Sequence, residues 1–535
     1  MMSFSIIGHW VPSGDISFTP AELSQISARF RETVIVVQDP ETGALGVSVE
    51  GTWGETGYPV LAVVPALYPE WLGNRGFTEE HGVAYPYVCG AMANGIASTD
   101  LVTAIVRTGG MGFFGAAGLS PARVREALST LEETLGKGTA WGMNLIHSPN
   151  EPALEEEIAD MYIRRGVTRV SAAAYMKLSP AILRYALTGL SQDSTGQIHR
   201  RNYVFAKISR PEVAKHFMSP APQNMVKKLL EGGLITQEEA RLSQLVSVAE
   251  DIIVESDSGG HTDNQALSAL FPTIANLRDR IASASGLTRE IRLGAAGGLG
   301  SPQAIAAAFA LGADFVLTGS VNQGCVESGL DVSGKTLLAA VDLADVMMAP
   351  SADMFELGVE VQVVKRGSMF GVRAKKLYEL YRHFNSLGEI PASELKVLEK
   401  SILQKSWRNA WADTAQYWAV RDPSELRRAM ADPKHQMALL FRSYLGQSSK
   451  WAIQGLYERR MDYQIWCGPA MGAFNSWVEG SFLERPENRT VEQVARNLLE
   501  GACQCTRAQQ LRTCGVPMPK EAFLYHPQRL QGEEL

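Results

Sequence analysis

The sequence has little of what marks membrane-spanning, secreted or nucleic-acid-binding chains. No uninterrupted apolar stretch approaches the roughly 20 residues needed to cross a bilayer, and residues 1–15 lack the basic start and long apolar core of a secretory signal. Long basic runs are missing too, and the net charge is −7, which argues against a polyanionic partner. We therefore expect a cytoplasmic protein that binds neither membranes nor nucleic acid.

Cysteine is also scarce, with six residues in a chain of 535. They form no CxxC pair and show no histidine spacing typical of a zinc site. We expect reduced thiols and no metal at Cys89, Cys325, Cys467, Cys503, Cys505 and Cys514.

What the chain does have is glycine, 49 residues of it, and a regular alternation of short apolar runs with longer amphipathic stretches. That alternation predicts βα units and a parallel sheet. Eight such units over about 240 residues favour a closed (β/α)₈ TIM barrel over an open doubly wound sheet with a long insertion. The predicted strands are Tyr87–Ala91, Gly112–Ala116, Ala140–Ile146, Arg169–Ala173, Tyr203–Ile208, Asp251–Glu255, Ile291–Ala295 and Asp314–Thr318.

The chain length predicts regions on both sides of this α/β barrel. Residues 1–85 are expected to form an N-terminal subdomain with strands at 34–37, 46–49 and 60–64, and residues 86–360 the barrel with a helical insertion near 211–249. Residues 361–535 are expected to be an appended helical region. Its pattern predicts helices over 375–459, broken at Pro391 and Pro423, then a loop over 463–477 and a last helix over 490–512.

Two glycine motifs follow the last two predicted strands. Residues 294–300 read Gly-Ala-Ala-Gly-Gly-Leu-Gly and precede Ser301-Pro302, a helix start, while residues 317–320 read Leu-Thr-Gly-Ser. Loops after strands seven and eight are the usual phosphate site of TIM barrels, because backbone N–H groups approach an anion closely there. Glycines that only make tight turns are the alternative. Two motifs at adjacent strand ends favour a phosphate site.

Other strand ends offer room for a flat ring and polar contacts to it. Small residues fill 89–98 after the first strand, and Asn144 is a polar residue in an apolar run. Its amide could instead satisfy barrel backbone. Lys207 ends the fifth strand, where its ammonium group must reach solvent or meet negative charge. The alternatives there are a ligand and a salt bridge to a barrel carboxylate.

His261 is the first candidate for a catalytic residue. It follows the sixth strand in a polar, glycine-containing loop, and imidazole titrates near neutral pH. Asp257 and Asp263 in the same loop are its rivals.

Taken in order along the chain, these motifs resemble the nitronate monooxygenase (2-nitropropane dioxygenase-like) superfamily, which includes the FabK-type flavin enoyl reductases. The ordered set is Ala93 and Gly95, the Gly-Gly-Met-Gly run at 109–112, Asn144, the Gly-Gly-His run at 259–261, the Ala-Gly-Gly run at 296–298, and Gly319-Ser320. With the N-terminal arm, the helical region and the Trp-Cys-Gly-Pro-Ala-Met-Gly-Ala-Phe-Asn segment at 466–475, nearly the whole chain is similar to the PfaD family. Members of that family are trans-acting enoyl reductases of polyunsaturated fatty acid and polyketide synthases.

The resemblance implies bound FMN, NAD(P)H as reductant with NADPH favoured, and an enoyl thioester on an acyl carrier protein as substrate. It assigns the FMN phosphate to Gly297, Gly298, Gly319 and Ser320, the ring to Ala91, Met92, Ala93, Asn144 and Lys207, and the substrate side to His261. A homodimer is a further assembly that the sequence allows.

One departure concerns the loop before the histidine. Shorter relatives often carry Glu-Ala-Gly-Gly-His, whereas this chain has Asp-Ser-Gly-Gly-His at 257–261, so a role that needs the reach of glutamate is in question. Two alternatives to enoyl reduction stay open: a nitronate monooxygenase-type flavin reaction, and a non-catalytic docking component of a synthase.

Overall fold

The computed structural model describes residues 5–149, 151–260 and 262–531. Its first part is an antiparallel sheet in the order β3-β2-β5-β1-β4. The elements are β1 (Gly8–Pro12), α1 (Pro20–Ala28), β2 (Val34–Gln38), β3 (Leu45–Ser48), β4 (Gly51–Gly54) and β5 (Tyr58–Val64). The sequence predicts β2, β3 and β5 but misses β1 and β4, because neither contains a run of aliphatic residues and three of the four residues of β4 are exposed.

Eight parallel strands close into a barrel in the order β12-β13-β14-β15-β6-β7-β8-β9. Its strands and the hairpin β10–β11 are β6 (Tyr87–Cys89), β7 (Met111–Phe114), β8 (Trp141–Ile146), β9 (Arg169–Ala173), β10 (Ser191–Gln192), β11 (Ile198–His199), β12 (Tyr203–Ile208), β13 (Asp251–Glu255), β14 (Arg292–Ala296) and β15 (Phe315–Thr318). The TIM barrel prediction is confirmed, and the open sheet is excluded. Every predicted barrel strand is present, with ends that differ by at most two residues.

Helices surround the barrel and connect its strands. They are α2 (Arg75–His81), α3 (Thr99–Arg107), α4 (Pro121–Leu135), α5 (Pro152–Arg165), α6 (Pro180–Leu187), α7 (Pro211–Met218), α8 (Gln223–Glu231), α9 (Gln237–Leu242), α10 (Leu267–Ser285), α11 (Pro302–Ala310), α12 (Ser320–Gln323) and α13 (Val332–Ala339). Ser120, Ser179 and Ser301 each cap a helix that has proline at its first position. These caps fix where three of the loops end. The three helices α7–α9 lie between β12 and β13.

Helix α2 closes the amino end of the barrel. Phe77 is fully buried there and stacks on Phe315, with ring centroids 4.4 Å apart. His81 Nε2 lies 3.1 Å from Asp251 Oδ2, and Arg292 Nε donates to Asp251 Oδ1 at 2.7 Å. Aromatic packing and a satisfied ionic network therefore fill this end, which leaves the carboxyl ends of the strands as the open side.

The carboxyl-terminal part is mainly helical. Residues between 349 and 445 form a hydrophobic core of their own, whereas the last two helices contribute to the main core of the barrel. The elements of the carboxyl-terminal part are the antiparallel pair β16 (Val346–Pro350) and β17 (Glu360–Val364), then α14 (Phe370–His383), α15 (Ala392–Val397), α16 (Trp407–Arg421), α17 (Pro423–Ala431), α18 (Pro433–Gln454), α19 (Ala470–Val478) and α20 (Val491–Thr513). Pro391 and Pro423, which were predicted as breaks in the helical region, lie at the starts of α15 and α17. None of the helices in the described ranges is both long and apolar enough to traverse a membrane.

The predicted loop over 463–477 is wrong in its second half, which is helix α19. Met471, Phe474 and Val478 recur at helical spacing and are fully buried. Glycine is required at position 472, because a Cβ there would lie 2.3 Å from the backbone nitrogen of Leu343. Close packing against the loop before β16 therefore explains the glycine that obscured the helix.

Candidate functional site

The residues predicted to contact a cofactor all lie at one end of the barrel. They occupy the carboxyl ends of β8 and β12 and the loops directly after β6, β14 and β15. This is the end where TIM barrels carry their active sites. The structure therefore brings together, at one rim, segments that are up to about 230 residues apart in the chain.

The glycines after β14 and β15 leave space beside the backbone. Gly298 has a φ of +70°, which favours glycine. A Cβ built on Gly298 or on Gly319 would meet no atom within 4 Å, whereas one on Gly297 would lie 2.5 Å from Ser256 Oγ. Gly297 thus lets two loops approach each other, and the other two border open space that a small anionic group can enter.

The loop after β6 lies directly against the start of the loop after β7. A Cβ on Gly115 would lie 1.6 Å from the carbonyl oxygen of Met92. Gly90 N–H donates to Thr318 O at 2.9 Å, so the same loop is also tied to the end of β15. These contacts hold Ala91, Met92 and Ala93 at the rim of the barrel. All three residues are partly buried, and the two alanines leave space on either side of Met92.

Asn144 faces the barrel interior and pairs with backbone. Its Nδ2 donates to Ser171 O at 2.9 Å, which is the alternative that the sequence left open for it. The Ser171 hydroxyl is buried and has no hydrogen-bond partner within the described part of the chain. A buried polar atom without a partner is costly unless a ligand or water satisfies it. Ser171 is thus a candidate ligand contact.

Lys207 also faces the interior and forms an ion pair. Its Nζ lies 2.8 Å from Glu255 Oε1, and the two side chains are 15% and 12% exposed. Glu255 Oε1 accepts a hydrogen bond from Ser258 Oγ at 3.1 Å, and Ser258 Oγ accepts from Gly260 N–H at 3.2 Å. A continuous polar network therefore connects Lys207 to the loop after β13.

That loop contains the catalytic candidates, of which His261 lies outside the described residues. Asp263 accepts two hydrogen bonds from Arg210, at 2.6 and 2.7 Å, and this partner lowers the pKa of Asp263. Asp257 Oδ1 accepts from Asn264 Nδ2 at 2.7 Å. Because Arg210 holds Asp263 ionised, Asp263 is poorly suited to donate a proton.

A second titratable cluster lies at the rim, beside β8 and β9. Glu155 is 4% exposed and accepts hydrogen bonds from the His147 ring, the Ser148 amide, Tyr175 and Ser179. Burial alone would raise the pKa of Glu155, but the bonds from His147, Ser148, Ser179 and Tyr175 outweigh it, and the pKa lies below its ordinary value. The carboxylate therefore fixes the loops after these strands.

The segment 466–470, here called the clasp, packs on the loops after β13, β14 and β15. A Cβ on Gly468 would lie 2.8 Å from Ser258 Cα, and one on Gly300 would lie 1.9 Å from Ala470 O. Gly468 N–H donates to Ser320 Oγ at 3.1 Å. Backbone contacts at van der Waals limits therefore join the carboxyl-terminal part to the glycine loops.

Sequence reasoning missed Glu255, Ser171 and the contacts of the clasp. For Glu255 a partial signal was present: it ends the predicted sixth strand, as Lys207 lies near the end of the fifth, but the register that puts both charged side chains on the same face, with Lys207 beside Ile253, is known only from the structure. Ser171 gives no signal beyond the same alternation. The clasp touches loops more than 140 residues away in sequence, and no local pattern reveals such a contact.

Comparison with known proteins decides the family. Residues 76–374, more than half of the chain, match the family model described as nitronate monooxygenase. The chain belongs to the nitronate monooxygenase family. It is therefore an oxidoreductase by family, and the resemblance drawn from the motifs is confirmed. Residues 384–463 match a second model, the inserted helical domain of [acyl-carrier-protein] S-malonyltransferase.

Individual relatives point to biosynthetic synthases. The chain is 43% identical over 500 residues to a polyunsaturated fatty acid synthase component of Thraustochytrium sp., covering 92% of this chain and 33% of that one. It is 44% identical over 437 residues to the polyketide biosynthesis protein PksE of Bacillus subtilis, covering 82% and 57%. The chain thus spans between one third and somewhat over half of these relatives.

A solved structure matches more completely. The chain superposes on the enoyl reductase domain of MlnA, from the macrolactin biosynthesis cluster of Bacillus amyloliquefaciens, with a TM-score of 0.79 and 36% identity. The match covers 83% of this chain and 99% of that domain. Most of this chain is therefore similar in fold and sequence to a domain described as an enoyl reductase.

Proposed function

We propose that the chain is an FMN-dependent enoyl reductase that saturates the 2,3 double bond of enoyl thioesters carried on acyl carrier protein, with NAD(P)H as reductant. The single observation that carries the proposal is the near-complete coverage, 99%, of the MlnA enoyl reductase domain at 36% identity. Relatives named as fatty acid and polyketide synthase components support the same pathway class.

The residues at the rim fit a flavin mononucleotide. Open space beside Gly298 and Gly319 suits a phosphate approached by backbone N–H groups. The unpartnered Ser171 hydroxyl, the neighbouring Asn144 and the Lys207 ammonium offer polar contacts suited to a heteroaromatic ring edge. Ala91, Met92 and Ala93 would border the ring, and Gly297 and Ser320 would complete the phosphate loops. Bound FMN would supply hydride chemistry that links NAD(P)H to the β-carbon of the enoyl thioester.

The chain's own residues must then handle the thioester and a proton. Negative charge develops on the thioester carbonyl as the β-carbon is reduced, and strand-end N–H groups or the His261 imidazole can stabilise it. A proton must reach the α-carbon, from His261 or from water. Asp263 is less suited, since Arg210 already holds it as a carboxylate.

The carrier-protein partner rests on two separate matches. The relatives that are synthase components support a carrier-bound substrate. So does the helical segment 384–463, because the family model that it matches is named for an [acyl-carrier-protein] S-malonyltransferase. NADPH is favoured over NADH by resemblance to the PfaD family. The compartment is expected to be the cytoplasm.

An anaerobic titration tests the proposal. Purified protein should contain FMN, bleach on addition of NADPH, and regain its flavin absorption when a crotonyl-carrier-protein conjugate is added. A matched His261→Gln variant should slow the second step more than the first. Protein without flavin, or with flavin that no enoyl thioester reoxidises, would overturn the proposal.

A nitronate monooxygenase reaction is the second candidate, favoured by the family match over residues 76–374. It requires the flavin to react with oxygen and a nitronate rather than with an enoyl thioester. The two candidate reactions are separated by comparing two rates: oxygen consumption with propyl-nitronate, and formation of the saturated acyl thioester from an enoyl thioester under nitrogen. Faster turnover of the nitronate would favour this candidate.

A further inference from the structure

We infer that Glu255 is a positioning residue that sets the charge beside the cofactor ring by neutralising Lys207. The inference rests on the proposed function, because it needs a flavin at the rim. It adds a residue that neither the motifs nor the comparisons assign.

The first step is that both side chains face the barrel interior from neighbouring strands. Lys207 is two residues after Phe205 and Glu255 two after Ile253, and both of these apolar residues belong to the core inside the barrel. The 2.8 Å ion pair between Lys207 and Glu255 is mostly shielded from solvent. It lies in the carboxyl-end half of the barrel, on the side away from helix α2.

The second step is that the pair is alone there. In the carboxyl-end halves of the other barrel strands, the inward-facing residues of the described chain are uncharged: Val88, Phe113, Asn144, Ser171, Ala296 and Leu317. A change in either member therefore alters the net charge of this interior layer by one unit. Nothing else among the described residues on these faces would compensate for it.

The third step compares this pair with the ionic network at the amino end. Asp251 there is bonded by Arg292 through two nitrogens and by His81, and all three residues are buried. Lys207 has one acceptor within the described residues, Glu255 Oε1, so two of its three N–H bonds can serve another acceptor. Buried ion pairs add little to stability, and a half-satisfied one at a ligand-binding rim indicates a functional use.

The fourth step concerns the geometry that Glu255 also holds. Ser258 Oγ donates to Glu255 Oε1, and Gly260 N–H donates to Ser258 Oγ, one residue before His261. A Glu255→Gln variant keeps an acceptor oxygen for Ser258 and Lys207 but removes the negative charge. It therefore separates the electrostatic role from the positional one.

The test is the reduction equilibrium of the bound flavin, measured anaerobically against a reference dye rather than by turnover. Glu255→Gln leaves the Lys207 cation uncompensated, so the ratio of reduced to oxidised flavin at a fixed dye ratio should rise about tenfold, the order expected for one unit charge within several ångströms in protein. Lys207→Met should lower the ratio by a similar factor. The double variant, neutral like the wild-type pair, and the charge-retaining Glu255→Asp should stay within about twofold of wild type.

The matched control is Glu231→Gln, which removes the same charge from the exposed pair that Lys227 and Glu231 form on α8 and should leave the ratio unchanged. Shifts below twofold in Glu255→Gln, or shifts of the same sign in both single variants, would overturn the inference. If Lys207→Met loses its flavin, Glu255→Gln and Glu255→Asp decide alone. Colourless wild-type protein would instead refute the proposed function, so the two failures are distinguishable.

Discussion

The backbone N–H of Gly468 donates to the hydroxyl oxygen of Ser320 at 3.1 Å. This bond joins the clasp to the first residue of α12, next to Gly319, which with Gly298 borders open space at this end of the barrel. A Cβ on Gly468 would also lie 2.8 Å from Ser258 Cα, in the loop after β13. Position 468 therefore controls how closely the carboxyl-terminal part packs on two loops of the site.

Gly468→Ala should loosen the site from outside. The added methyl group meets backbone, so the clasp must move, and overpacking of this kind costs about 1–3 kcal/mol. We expect the dissociation constant of FMN to rise about tenfold, measured by the fluorescence of released flavin. Gly446→Ala in α18, where a Cβ meets nothing within 4 Å, is the control. Unchanged flavin retention in Gly468→Ala would argue against the clasp.

Gly319→Ala should have the opposite pattern, an intact fold with a filled site. A Cβ built on Gly319 meets no atom within 4 Å, so a methyl group fits in the folded chain, although φ −129° and ψ −71° lie outside the main allowed regions and make alanine somewhat strained there. The methyl group would occupy the space assigned to the phosphate. The melting temperature without FMN should fall only slightly, while the rise on adding FMN should shrink. An equal rise in both proteins would place the phosphate elsewhere.

Glu155 should make stability sensitive to acid. Its pKa is lowered in the folded protein, so its contribution is complete above the carboxyl's ordinary value of 4.5 and is lost as the pH falls through the lower, folded-state value. Glu155→Gln should cost about 1–3 kcal/mol at pH 7, because four donors lose a charged acceptor.

Urea unfolding from pH 7 down to the acid limit of the folded protein measures this effect. The difference between wild type and Glu155→Gln should narrow as the pH falls below 4.5. A constant difference across the range would mean that the lost bonds, and not the ionisation of Glu155, determine it.

Phe77→Ala should destabilise the barrel from its closed end. Phe77 is fully buried and stacks on Phe315, so truncation leaves a cavity that the surrounding strands cannot fill. A loss of about 3–5 kcal/mol in the free energy of unfolding is expected. The control is Phe523→Ala near the chain end, where Phe523 is partly exposed. A loss below about 1 kcal/mol would show that α2 does not fill the barrel.

How much of the fold can be predicted from the sequence depends on how far apart the interacting residues lie along the chain. The barrel strands are short, mainly apolar runs, and several of them lie next to glycine or proline, so their existence and order are visible locally. The strands β1 and β4 lack such a run and are missed. Helix α19 is obscured in the sequence by Gly468, Pro469 and Gly472. The two glycines are needed there because other segments pack closely against their backbone.

The site follows the same division. Strand ends fix where Asn144, Lys207 and the glycine loops lie, and these positions follow from counting residues along each strand. The partners of those residues do not: Lys207 meets Glu255, and Asn144 meets the Ser171 carbonyl, only once neighbouring strands are in register. The role of each predicted contact to FMN, and of His261, stays a prediction.

Filling the amino end with Phe77, His81 and the Asp251–Arg292 pair has a kinetic consequence. A barrel that is closed at its amino end gives access to its interior from the carboxyl end only. Two substrates that react in turn with one group bound there would therefore enter and leave by the same opening. If the proposed reductase reaction takes place at this end, we expect the oxidised nicotinamide to leave before the acyl chain binds. Initial-velocity plots for the two substrates should accordingly be parallel lines.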